Sequence, residues 1–168
     1  MKREGIGQGA LLLDNAAAGI DEILAGLGRK RVYAATVTGT AGAGNKAIAQ
    51  FKNPAASGKT AYFLLGDLWV AAAMSVSAVF DGTDNAGATA SIPMYDGGGA
   101  GVVVVGGSNA AAVAGTAFLT TPSLPVNTAY LLPGWFWAAL PPGKNLQFQG
   151  GTANQAFTVN LRWVELTA

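Results

Sequence analysis

Apolar and polar residues alternate most clearly near the end of the chain, in residues 156–166. Four apolar side chains share one face of an extended segment, and three polar ones share the other. The apolar set is Phe157, Val159, Leu161 and Trp163, and the polar set is Thr158, Asn160 and Arg162. A period of two is typical of a β-strand with one buried face. The pattern therefore predicts a half-buried antiparallel strand.

Short apolar segments of the same kind continue from Val32 onward, separated by clusters of Gly, Pro, Asn and Asp. The predicted strands are residues 32–37, 47–52, 59–65, 68–73, 75–80, 89–95, 101–105, 113–120, 128–132, 135–140, 146–149 and 156–166. The predicted turns and loops include residues 39–45, 53–58, 81–88, 140–145 and 150–155, while the Gly/Ala-rich stretches 97–101 and 106–115 are either loops or close backbone contacts. Short strands with frequent turn signals predict an all-β fold, a jelly-roll-like antiparallel β-sandwich over residues 32–168.

Residues 1–31 have a different pattern, which predicts an N-terminal arm with a short helix. Apolar residues recur at the i, i+3, i+4, i+7 spacing of one helix face, and Gly28 is placed as a helix stop. The residues expected to contact a partner are Ile20, Ile23, Leu24 and Leu27, followed by the basic Arg29, Lys30 and Arg31. The helix either docks on a partner or covers one end of the sandwich. No further basic stripe supports nucleic-acid binding.

The composition favours a protein that hides surface against copies of itself or a larger assembly. Charged residues make up 11% of the chain, the net charge is +1, and 24 of 168 residues are glycine. Soluble domains carry about 25% charged residues, so this surface suits self-association, which we expect to give a homotrimer. The apolar stretch 63–80 is interrupted by Gly66 and Asp67 and favours buried strands over a membrane span.

Catalytic and cofactor chemistry finds little support in the sequence. The chain has no His and no Cys, which excludes a Ser-His-Asp triad and thiolate or imidazole metal sites. Residues 39–46 and 57–60 partly match phosphate-loop spacing, but strand-like residues follow both, so we interpret them as turns. The candidate carboxylates for glycoside hydrolysis are Asp67, Asp81, Asp84, Asp96 and Glu165, and Asp81, Asp84 and Asn85 form a weak calcium candidate. We expect no enzyme activity and no cofactor.

Aromatic residues are concentrated in the last third of the chain. The set comprises Tyr130, Trp135, Phe136, Trp137 and Trp163. Large rings bury about 150–250 Å² each and most often lie in cores or subunit interfaces. We therefore predict core or subunit-interface positions, with a sugar-binding platform as the alternative.

Two short motifs resemble those of small virion proteins of tailed bacteriophages. One is the run from Phe51 to Tyr62, which contains Asn-Pro-Ala-Ala-Ser-Gly-Lys, and the other is the closing Arg-Trp-Val-Glu of residues 162–165. The likeness covers residues 47–166 and implies a trimeric jelly-roll domain with no catalytic residues. It suggests a capsid decoration (cement) protein that binds the major capsid protein or other virion proteins at the capsid surface. The alternatives are a tail or head-fibre module that binds a host receptor and a secreted carbohydrate-binding module.

Overall fold

Twelve β-strands form the regular structure of the described chain. The computed structural model describes residues 32–40, 44–82, 89–90, 92–93, 103–109, 115–133 and 139–167. The strands are β1 (Val32–Gly39), β2 (Lys46–Lys52), β3 (Lys59–Val70), β4 (Val76–Phe80), β5 (Thr89–Ala90), β6 (Ile92–Pro93), β7 (Val103–Asn109), β8 (Thr116–Thr120), β9 (Thr128–Leu131), β10 (Ala139–Leu140), β11 (Asn145–Ala153) and β12 (Phe157–Thr167). A 3-10 turn, Ala55–Ser57, joins β2 to β3.

The strands form two antiparallel sheets. Sheet A has the order β10-β3-β12-β1-β6, with β9 also paired to β3, and sheet B has the order β5-β7-β2-β11-β4-β8. These two sheets confirm the predicted all-β sandwich. The predicted N-terminal helix lies outside the described residues. Among the residues that are described, no helix has the length and apolar character needed to cross a membrane.

Nine of the strands pair in a nested order along the chain. The first strand, β1, pairs with the last, β12, and β2 pairs with β11. Inside these pairs, β3 pairs with β9 and β10, and β4 pairs with β8. The short strands β5, β6 and β7 fall between β4 and β8 in sequence and extend the edges of both sheets.

The core between the sheets is centred on aromatic side chains. Trp163 is fully buried, stacks on Tyr33 with ring centroids 5.8 Å apart, and contacts the rings of Phe51 and Phe63. Phe157, Val159 and Leu161 are buried on the same face of β12. The alternation in the sequence therefore identifies the inward face of this strand.

Two predicted interruptions are absent, and the sequence expectation was wrong at both. The expected break at Gly66 and Asp67 lies inside the continuous strand β3, and the turn expected at residues 150–155 is in large part strand β11. The glycine-rich stretch 106–115, for which the sequence left loops and close backbone contacts open, begins inside strand β7. Pairing with an antiparallel neighbour satisfies backbone groups of these segments and outweighs the weak strand preference of glycine.

Gly66 shows most clearly why a glycine lies inside a strand of this sheet. A Cβ atom built at this position would lie 2.3 Å from Leu161 Cδ2 and 2.7 Å from Leu132 Cδ1. The missing side chain thus makes room for two core leucines. We expect Gly66→Ala to lower the free energy of unfolding by about 1–3 kcal/mol through overpacking. Chemical denaturation followed by circular dichroism measures this, and a variant as stable as the parent would contradict the packing assignment.

Candidate interaction surface

The structure describes only two of the residues in the predicted partner-contact set and the predicted aromatic set. Tyr130 is half-buried against the core, and Trp163 is fully buried within it. The remaining members of both predicted sets lie outside the described residues: Ile20, Ile23, Leu24, Leu27, Arg29, Lys30, Arg31, Trp135, Phe136 and Trp137. A candidate interaction surface on the described sandwich therefore has to be found among other residues.

A row of four side chains crosses the outward face of sheet A. Strand pairing aligns Leu131 of β9, Asp67 of β3, Asn160 of β12 and Thr36 of β1. Thr36 Oγ1 donates to Asn160 Oδ1 at 2.7 Å, and Asn160 Nδ2 donates to Asp67 Oδ1 at 2.7 Å. These bonds hold the central polar side chains in a fixed arrangement across three strands.

Two further rows flank the central one. On one side lie Leu65 and Arg162, and on the other lie Trp69 and Thr158. A cleft of about 610 Å³ opens on this surface, lined by Leu65, Asp67, Leu131, Asn160 and Arg162 among others. We call this surface the sheet A face and define it by Ala34, Thr36, Thr38, Leu65, Asp67, Trp69, Leu131, Thr158, Asn160 and Arg162.

The sheet A face combines exposed apolar side chains with two charged side chains that could make further hydrogen bonds or ion pairs. Leu131 is 67% exposed, Leu65 46% and Trp69 39%. Within the described chain the exposed Arg162 makes no ion pair or hydrogen bond, and one oxygen of Asp67 is left after the bond from Asn160. Exposed apolar groups beside a free guanidinium are typical of protein interfaces and ligand clefts.

The outward face of sheet B is different, because its central side chains are buried. Ile48, Gln50 and Gln147 alternate with core residues along β2 and β11, yet each is 0% exposed. Gln147 Nε2 donates to Gln50 Oε1 at 2.6 Å. Of the two outward faces, the described part of sheet A is therefore the one that offers an accessible surface at its centre.

The run from Phe51 to Tyr62 contains a residue that links two turns by hydrogen bonds. Asn53 is 1% exposed, and its Nδ2 donates to the carbonyl oxygens of Lys59 and Leu140, both at 2.7 Å. Its backbone accepts from Gly143 N at 2.8 Å and donates to Lys144 O at 2.9 Å. Asn53 thus fixes the β2–β3 turn against the β10–β11 turn.

The second motif meets the first at the end of β12. Glu165, whose side chain is 2% exposed, lies 3.4 Å from Lys59 Nζ and accepts from Trp163 Nε1 at 3.1 Å. The two short motifs are therefore adjacent in space, and their polar residues connect the turn to the core. This arrangement gives them a structural role.

The candidate catalytic and calcium-binding carboxylates that the structure describes each bond to another side chain of the sandwich. Asp67 bonds to Asn160, Asp81 pairs with Lys144, and Glu165 pairs with Lys59, while Asp84, Asn85 and Asp96 lie outside the described residues. No group of three or more carboxylate, His or Cys side chains that could hold a metal occurs in the described part of the chain. The phosphate-loop-like segment at residues 57–60 leads from the 3-10 turn into β3.

Sequence reasoning missed most of the sheet A face. The outward residues Thr158, Asn160 and Arg162 were recognisable from the alternation in β12, but Thr36 and Leu131 carried no signal of their own. Their neighbours are set by strand order, which brings together residues 124 and 93 positions apart in the two hydrogen bonds of the central row. Comparison with known proteins adds nothing further, because no protein-family model, curated protein or solved structure matches this chain.

Proposed function

We propose that the sandwich is a jelly roll and that the protein is a virion structural protein of a tailed bacteriophage. The nested pairing of β1 with β12, β2 with β11, β3 with β9 and β10, and β4 with β8 carries this proposal. A jelly roll has eight strands in two sheets and is a recurrent fold of viral capsid proteins. Fold analogy alone does not assign function, and the two short motifs add a second observation.

The phage-like motifs support the same proposal through their structural role. Asn53, Lys59, Trp163 and Glu165 join the turns to the core by side-chain hydrogen bonds and an ion pair. Residues that hold a fold together are expected to recur among proteins that share that fold. The protein is accordingly a capsid decoration protein, a homotrimer that binds and stabilises the major capsid shell.

Jelly rolls also occur in lectins, which favours a second candidate function. The cleft of about 610 Å³ on the sheet A face has the volume of a ligand site and carries a free Arg162. This cleft suits a tail or head-fibre module that binds a host receptor. A secreted carbohydrate-binding module would use the same cleft without a virion.

Co-sedimentation with capsids separates these functions. The full-length chain is produced together with the major capsid protein of the same genome, and assembled particles are separated on a sucrose gradient. A decoration protein is expected in the capsid fractions at a constant ratio to the major capsid protein. Recovery only at the top of the gradient, or only in tail fractions of whole virions, would overturn the capsid assignment.

The N-terminal arm is the proposed attachment segment. We expect the double substitution Ile23→Asp and Leu24→Asp in the full-length chain to abolish co-sedimentation, because two apolar side chains would no longer be buried against the capsid, each contributing about 1.5–3 kcal/mol. The matched control is Glu22→Gln on the polar side of the same predicted helix, which is expected to bind like the parent. Binding by the double variant at the parental level would move the attachment site to the sandwich.

A further inference from the structure

The exposed apolar side chains of the described sandwich are concentrated on one surface. Six large hydrophobic residues in the described ranges are exposed, namely Tyr62, Leu65, Trp69, Phe118, Val126 and Leu131. Three of them, Leu65, Trp69 and Leu131, belong to the sheet A face, and Tyr62 lies on the same side of β3 beside Val164. Exposed tryptophan and tyrosine beside arginine are residue types enriched in protein interfaces.

The charges on the sheet A face complement each other. Arg162 lies on β12 two residues beyond Asn160, and Asn160 is the direct partner of Asp67 on β3. Arg162 and Asp67 are therefore diagonal neighbours, with Cα atoms about 7–8 Å apart. Each has bonding capacity that no other described residue uses. In an assembly of copies, one neighbour can offer Asp67 a guanidinium and another neighbour can offer Arg162 a carboxylate.

We propose that copies of this chain associate through the sheet A face, with Arg162 of one copy paired with Asp67 of the next. The inference rests on the proposed homotrimer and names its contact surface. Around a threefold axis each copy presents Arg162 to one neighbour and Asp67 to the other, so the contact closes into a ring. Leu65, Leu131 and Trp69 surround the pair and are buried with it, which shields the charges from water.

A charge exchange in the full-length protein tests this pairing. Arg162→Asp or Asp67→Arg alone places like charges against each other and is expected to raise the dissociation constant of the oligomer about tenfold or more. The combined variant, Arg162→Asp with Asp67→Arg, restores opposite charges across the contact and is expected to regain the parental mass. Sedimentation equilibrium over a concentration series measures all three, and circular dichroism verifies that each is folded.

The matched control is Lys144→Asp, which makes the same change of charge at an exposed ion pair with Asp81 away from the sheet A face. It is expected to leave the oligomer unchanged. The inference is overturned if the single variants associate like the parent or if the combined variant does not recover. A trimeric parent whose single variants stay trimeric but lose capsid binding would assign this face to the capsid. A monomeric parent that still co-sediments with capsids would overturn this inference and the homotrimer but not the decoration function.

Discussion

Trp163→Ala is expected to lower the free energy of unfolding by about 3–5 kcal/mol. The indole is 0% exposed and contacts Tyr33, Phe51 and Phe63, with ring centroids 5.8–6.2 Å away. Its removal leaves a cavity between the sheets and takes away the hydrogen bond from Nε1 to Glu165, so the buried carboxylate loses one partner. The loss is a large part of the stability of a domain this size, because such domains are stable by only about 5–15 kcal/mol.

The chain contains its own matched control for this substitution. Trp69→Ala makes the same change on the outward face of the same sandwich, where the side chain is 39% exposed in the single chain. Because Trp69 lies in the proposed contact between copies, both variants are compared at a protein concentration at which the chain is monomeric. We expect a loss well below that of Trp163→Ala. Guanidinium denaturation followed by far-UV circular dichroism avoids a fluorescence signal that the substitutions themselves alter. An equal loss of unfolding free energy at both positions would contradict the assignment of Trp163 to the buried face and Trp69 to the exposed face.

The sequence predicted the parts of this fold that depend on local pattern. Alternation places Phe157 and Trp163 inside, and the Asn-Pro and Ser-Gly pairs mark the turn between β2 and β3. The predicted strand break at Gly66 was wrong, because the role of this glycine depends on Leu161 and Leu132, which are distant in the sequence. A local rule treats glycine as a strand breaker, whereas the packed structure uses it to make space.

The sheet A face was beyond prediction for a related reason. Its central row needs β9, β3, β12 and β1 to be neighbours in that order, and alternation within one strand does not fix which strand lies beside it. The outward position of Asn160 was readable from the sequence, but its bonds to Thr36 and Asp67 were not. The motif residues show the same limit, because Lys59 and Glu165 become an ion pair only when β3 and β12 are paired.

Asn53→Asp is the second substitution for which we expect a large effect. The Asn53 side chain acts as a donor, since Nδ2 bonds to two carbonyl oxygens, of Lys59 and Leu140, at 2.7 Å each. An ionised aspartate has almost the same shape but no donor, so it would place a negative charge against both oxygens in a site that is 1% exposed. Unpaired buried acceptors and a buried unpaired charge are costly, and we expect a loss of about 3 kcal/mol or more.

Asn154→Asp is the matched control, because there the same chemical change preserves the bond. Asn154 is exposed, and its Oδ1 accepts from Gly44 N at 2.7 Å, a role that a carboxylate oxygen fills equally well. We expect its stability to stay within about 0.5 kcal/mol of the parent. Denaturation midpoints of the two variants, measured side by side, test whether the donor at residue 53 holds the two turns together. If both variants unfold at the parental midpoint, the hydrogen bonds of Asn53 contribute little to the stability of the fold.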